Sequence, residues 1–273
     1  MQARRLPAAR GTFWLFEGFR LFRRNPSLIT ALTLAYLLVV QTLVILLPGI
    51  GPILLPLALP VLTLIVANGC RLVDEQQAPS KALLLRGISG NGRALLRLGG
   101  LQLLGALLLV LLNLALNDGN DPLAGLDSTM ATPNMNDPSL PGTTPANPEA
   151  QAQMLGAMFQ LLLLAAPMIV AFWFAPFLVG WDRVSPFKSL FFSWIACWRN
   201  LGAMGMFSLA ALVLAGVLPG FILIAVSQVA GLALDIAFVA LRMMLIFLVA
   251  PVLTASIYVS YRDIFHPNVD ERV

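Results

Sequence analysis

Residues 28–47, LITALTLAYLLVVQTLVILL, run for twenty positions without a charged side chain. Residues 50–70, IGPILLPLALPVLTLIVANGC, follow after only Pro48 and Gly49. A bilayer core takes about 20 apolar residues of α-helix. Backbone groups in lipid have no water to bond, so such a segment satisfies them internally as a helix. The pair therefore reads as a transmembrane hairpin, turned tightly at Pro48, Gly49, Gly51 and Pro52.

Outward from this hairpin, residues 98–116, 154–179, 201–226 and 236–259 repeat the same composition, which makes six expected spans. The whole chain agrees: 59% of its residues are hydrophobic and only 11% are charged. A soluble domain carries roughly 25% charged residues, so this chain cannot cover a water-facing globule. The expected fold class is all-α and integral to the membrane.

The cations set the orientation. Arg4, Arg5, Arg10, Arg20, Arg23 and Arg24 precede the first span, and Arg71, Lys81, Arg86, Arg93 and Arg97 separate the second from the third. Arg183, Lys188 and Arg199 lie between the fourth and fifth, and Arg262 and Arg272 follow the last span's apolar core. The alternate connections, at residues 48–52, 117–153 and 227–235, hold neither Lys nor Arg. Sixteen of the seventeen cations thus fall on one side, which the positive-inside rule makes the cytoplasm, with both termini there. The net charge of +4 forms no solvent-facing basic stripe, so the expected partners are membrane lipids and, second, another membrane protein, with no nucleic acid. The sequence does not fix the oligomeric state.

No small-residue cleavage site directly follows the first run, which is longer than a signal-peptide core, so that run is expected to stay in the mature protein. Cys70 and Cys197 sit near cytoplasmic span ends, outside any CxxC pattern, and read as unpaired structural thiols. Residues 117–153 are rich in Asn, Asp, Pro, Thr and Gly and read as a disordered outer loop. Its Asn117-Asp118-Gly119-Asn120-Asp121 lacks the spacing and terminal Glu of an EF-hand.

A repeat underlies the spans. Pro79-Ser80-Lys81-Ala82-Leu83 returns as Pro186-Phe187-Lys188-Ser189-Leu190, each a few residues after an acid, Asp74 or Asp182. Arg24-Asn25-Pro26 before the first span matches Arg199-Asn200-Leu201 before the fifth, and Asn91 holds a similar place before the third. The unit is an interfacial amphipathic helix, over about 12–24, 80–97 and 186–199, followed by a two-span hairpin. In the first, Glu17, Arg20 and Arg24 share one face while Phe16, Phe19 and Phe22 crowd the other. Helices of this kind lie in the headgroup plane, and Arg20, Arg24, Lys81, Arg86 and Lys188 are candidate headgroup contacts. The simpler reading is a set of basic flanks that snorkel to the interface.

Pro60, Pro176 and Pro251 recur in the second, fourth and sixth spans as candidate kinks, since an internal proline removes a backbone bond and crowds the carbonyl four residues back. They line a cavity or a joint, or they serve packing alone. Arg242 is the one cation inside a span, and Asp235 lies seven residues earlier on the same face. The two form a structural ion pair near the outer interface, or Arg242 meets an anion in a cavity. Gly216 and Gly220 fit the small-xxx-small template for close approach of two helices within the chain.

Catalytic signatures are missing: His266 is the single histidine, and no GxSxG, HExxH, P-loop or GxGxxG string occurs. The chain is expected to be non-enzymatic, with no cofactor and no metal.

The acid, the Pro-x-Lys-x-Leu motif and the amphipathic helix entering a span together resemble poorly characterised polytopic inner-membrane families of Gram-negative bacteria. They are also similar to the membrane domain attached to some glycerophosphodiester phosphodiesterases. That resemblance implies a multi-pass protein of the bacterial inner membrane engaged in envelope or lipid business, and carries over no catalytic residue. The expectation is a lipid- or partner-binding membrane module, with a small-molecule or lipid transporter or channel as the alternative.

Overall fold

The computed structural model describes residues 4–47, 49–117, 148–227 and 232–266, and among them the chain is helical without a strand. Six helices are long and apolar enough to cross a bilayer: Pro26–Leu46, Gly51–Asp74, Lys81–Leu116, Leu155–Gly180, Leu201–Val226 and Ile236–Phe265. The residues form two compact units, one of Met1–Gly100 with Ala171–Val273 and one of Leu101–Val170. In the smaller unit Gly105 lies close to the Met168 side chain. Residues 118–147, which hold most of the expected outer loop and its Asn-Asp cluster, lie outside the described residues. The helix Pro148–Phe172 begins five residues before the expected end of that loop at residue 153.

In the larger unit, α1 (Arg10–Arg24) packs along α12 (Ala250–Phe265) and against α9 (Leu201–Leu212). Of its three-residue Phe face, only Phe22 is buried within the protein. Gly11, Trp14, Gly18, Leu21 and Phe22 are buried, whereas Phe16 and Phe19 are exposed. Gly18 allows this, because a Cβ there would collide with Ser256 of α12. The exposed phenyl rings instead lie beneath guanidinium groups, with Arg20 4.6 Å from the Phe16 centroid.

An asparagine with non-helical backbone ends the first and third expected amphipathic helices and interrupts the second. Asn25 (φ −150°, ψ 77°) caps α2 (Pro26–Leu46), its Oδ1 accepting from the Leu28 N–H at 3.1 Å. Asn91 (φ −124°, ψ 18°) breaks α5 (Ile88–Leu116), and Asn200 (φ −116°, ψ 27°) separates α8 (Pro186–Arg199) from α9. In place of a continuous helix over 80–97 the chain forms the single turn α4 (Lys81–Leu84), then Gly87 at φ +83°, then α5. Only glycine adopts that φ without strain.

The prolines differ in effect. Pro60 sits within α3 (Gly51–Asp74), which continues through it and through Pro56. Pro176 stands in the first turn of α7 (Ala175–Gly180), just after the break that ends α6 (Pro148–Phe172). Pro251 opens α12, directly after a π-helical turn at Leu245–Val249 that ends α11 (Leu232–Met244). A second π turn, Val213–Val217, precedes α10 (Leu218–Ser227) and Pro219 by the same spacing, and the two π turns pack against each other. A π turn widens the ladder to i→i+5, which frees the room that the proline ring needs. Among the described residues a Cβ added at Gly216 would meet only Leu212 of its own span, and one at Gly220 nothing within 4 Å, so neither glycine is required for a close helix approach.

Candidate functional site: a polar cleft at the ends of the spans

Where α3, α7 and α12 end, the apolar spans give way to a cleft of about 610 Å³. Its wall is aromatic. Trp181 stacks on Phe177 at 5.3 Å between ring centroids, and Tyr261 packs edge-on to Phe177 at 5.2 Å. Phe174 and Phe177 are buried beneath. Over this wall lie Arg71, Arg86, Arg183 and Arg262, with Asp74, Glu75 and Asp182 among them.

Three aspartates organise this end of the unit, each with one aromatic donor and at least one cationic or imidazole partner. Asp74 accepts from the Tyr258 hydroxyl at 2.9 Å and from Arg262 at 2.6 Å, with Arg24 at 3.8 Å. Asp182 accepts from the Tyr261 hydroxyl and lies 3.2 Å from His266 Nε2. Asp263 takes both arms of Arg10, at 3.0 and 2.8 Å, and the indole N–H of Trp14 at 2.8 Å. A bidentate guanidinium–carboxylate pair is among the stronger hydrogen-bonded contacts a protein makes. Four residues of α12, Tyr258, Tyr261, Arg262 and Asp263, thus bind α1, α3 and the segment after α7.

Asparagines brace the backbone. Asn68, buried in α3, donates to the carbonyls of Leu84 (2.8 Å) and Arg86 (2.9 Å) and accepts from the Trp181 indole at 2.8 Å. Asn91 donates to the Val179 and Gly180 carbonyls, both at 3.3 Å. Asn200 accepts from the Leu6 N–H at 2.8 Å and donates to the carbonyls of Arg4 and Ala196. Arg183 holds a left-handed backbone, φ 54°, at the rim of the cleft. Such a φ costs a non-glycine residue about 1–3 kcal/mol and persists only where the surroundings impose it.

Of the candidate headgroup contacts, Arg86 lines this cleft. Arg20 pairs with Glu17 at 2.9 Å and, with Arg24, lines a neighbouring hollow of about 360 Å³. Lys81 and Lys188 are exposed on α4 and α8, away from both. Arg242 is exposed on α11 and makes no ion pair to a described residue, while the side chain of Asp235 lies outside the described residues. Pro60, Pro176 and Pro251 are all buried. Both cysteines are buried and neither is in a disulfide; burial pushes the Cys197 thiol up to about 12, a nearby Ser193 hydrogen bond opposing.

The sequence reading singled out Asp74 and Asp182 only as markers of a repeat, and missed Asn68, Trp181, Tyr258 and Tyr261. The available signal was the run from Tyr258 to Asp263, a polar Tyr-Val-Ser-Tyr-Arg-Asp stretch closing an otherwise apolar span.

No protein-family model matches the chain, and no solved structure matches it. The probable inner membrane protein BTH_II0599 of Burkholderia thailandensis is 32% identical over 272 residues, spanning 97% of this chain and 94% of that protein. With six apolar helices of spanning length on the same chain, the protein is a multi-pass inner-membrane protein and belongs to the family of that Burkholderia protein.

Proposed function

We propose that this protein is a non-enzymatic membrane module of the cell envelope that binds a lipid headgroup in the cleft at its span ends. The cleft carries the reading: four arginines and an aromatic wall meet at the boundary where the spans end, the depth at which headgroups lie. The distribution of cations supports a cytoplasmic position for that boundary and for both termini. Three units of amphipathic helix plus two-span hairpin build it. The matched Asn25, Asn91 and Asn200 breaks, and the aspartates Asp74, Asp182 and Asp263, support that repeat.

Native mass spectrometry of the gently extracted protein tests this proposal. A defined phospholipid is expected to remain bound in excess of its share of the extract, and a protein that carries only detergent overturns the reading.

A transporter or channel is the second reading, favoured by the two π turns packed together before Pro219 and Pro251. π turns are frequent at functional sites. Arg242→Ala separates the two: a folded variant with altered solute flux supports a pore, and unchanged flux removes this reading.

A further inference from the structure

We infer that the cleft holds a phosphate-bearing anion between Arg86 and Arg183. This deepens the headgroup-binding reading and rests on it for the source of the phosphate, whether a lipid or a soluble phosphate.

Two of the four arginines in the cleft are already committed. Arg262 is held by Asp74 and Arg71 by Glu75, each at 2.6 Å. Arg86 and Arg183 make no ion pair with a described residue, although both face the same hollow. Asp182, the remaining carboxylate there, is engaged by Tyr261 and His266. The cleft therefore carries two guanidinium groups without an ion-pair partner among the described residues and, with four arginines against three carboxylates, a net positive charge; a tetrahedral anion with several acceptor oxygens is the ligand that two such forks satisfy together.

The backbone beneath these two arginines is fastened before any ligand arrives. Asn68 ties the Arg86 carbonyl to the Trp181 indole through one side chain, with bonds of 2.9 and 2.8 Å. Gly87, the next residue, lies so close to Gly180 that a Cβ would collide with the Gly180 carbonyl. Asn91 then bonds that same carbonyl. Arg183 follows three residues later in its left-handed conformation. Glycine suits that conformation best, so an arginine there points to use of its side chain rather than to a backbone requirement. A fastened backbone under both arginines leaves only their side chains to be ordered when an anion binds, which lowers the cost of binding.

The test uses the full-length protein in mild detergent and three probes: phosphatidylglycerol, diacylglycerol with the same acyl chains, and inorganic phosphate. Arg86→Gln/Arg183→Gln is compared with Arg5→Gln/Arg199→Gln, which removes the same charge away from the cleft. Expected are retention of phosphatidylglycerol but not diacylglycerol, at least about tenfold weaker binding in the cleft variant, and no such loss in the control, since each charged hydrogen bond removed is worth on the order of tenfold or more. Phosphate binding that depends on the two arginines, without lipid retention, supports the site and overturns the headgroup reading. Lipid retention that is equal in the wild type and the cleft variant overturns the site and leaves that reading standing. Binding of neither probe overturns both. Arg183→Gly guards against a folding artefact: it is expected to weaken anion binding while thermal stability holds or rises, because it relieves the left-handed backbone. Reduced stability with unchanged binding overturns the assignment.

Discussion

Asp263 is buried under the first helix, and its two oxygens are filled by Arg10 and Trp14. Removing the carboxylate strips the Trp14 indole N–H of its acceptor and takes the bidentate partner from Arg10 in a confined place. Breaking a buried ion pair from one side typically costs about 3–5 kcal/mol. Asp263→Ala is therefore expected to lower the unfolding temperature in detergent by far more than Glu17→Ala, whose pair with exposed Arg20 belongs to a class worth about 0–1 kcal/mol. Cys197 offers a pH test. Its thiol is raised from an ordinary 9.0 to about 12 by burial, so the folded state holds its proton where the unfolded state has lost it. The sign follows: the stabilisation is full below pH 9 and is lost as the pH rises toward 12. Maleimide labelling of Cys197 at pH 8 is expected to be slow in the folded protein and rapid after denaturation.

At the scale of elements, the spans were legible and their seams were not. A run such as residues 28–47 announces itself, because in lipid every position is apolar whichever neighbour it meets. The buried face of α1 did not, since Phe16 and Phe19 are as apolar as Trp14 and Leu21, and only the small Gly18 decides which side reaches α12. The π turns were equally hidden: an added residue changes no composition, and Pro219 carried no sign of its match with Pro251. Of the site, Asp74 and Asp182 were visible as recurring acids, but Tyr258 and Tyr261 lie 184 and 79 residues from them in sequence, beyond any local pattern. Gly18→Leu checks the seam. It is expected to push α1 away from Ser256 and to destabilise the protein by about 1–3 kcal/mol or more, as overpacking does, whereas Gly205→Leu, where a Cβ meets nothing, is expected to be nearly neutral in a melting experiment.

For the molecule as a whole, α12 is the element on which the polar end converges: it reaches Arg10 and Trp14 near the start of the chain, Asp74 in the middle and Asp182 beyond. Ribosomes make it after all five other spans. Until it emerges, Asp74 and Asp182 await their tyrosines, and Arg10 and Trp14 await Asp263. The earlier spans can enter the bilayer one by one on hydrophobicity alone, but the end of the unit that carries the cleft has no route to early closure. A chain cut after Val249 is thus expected to insert and yet be cleared quickly, with a pulse-chase half-life several-fold shorter than that of the full chain, because unpaired buried polar groups destabilise it. The sixteen helical residues of α12 act as a timer: the polar end of the unit closes only once they have been made.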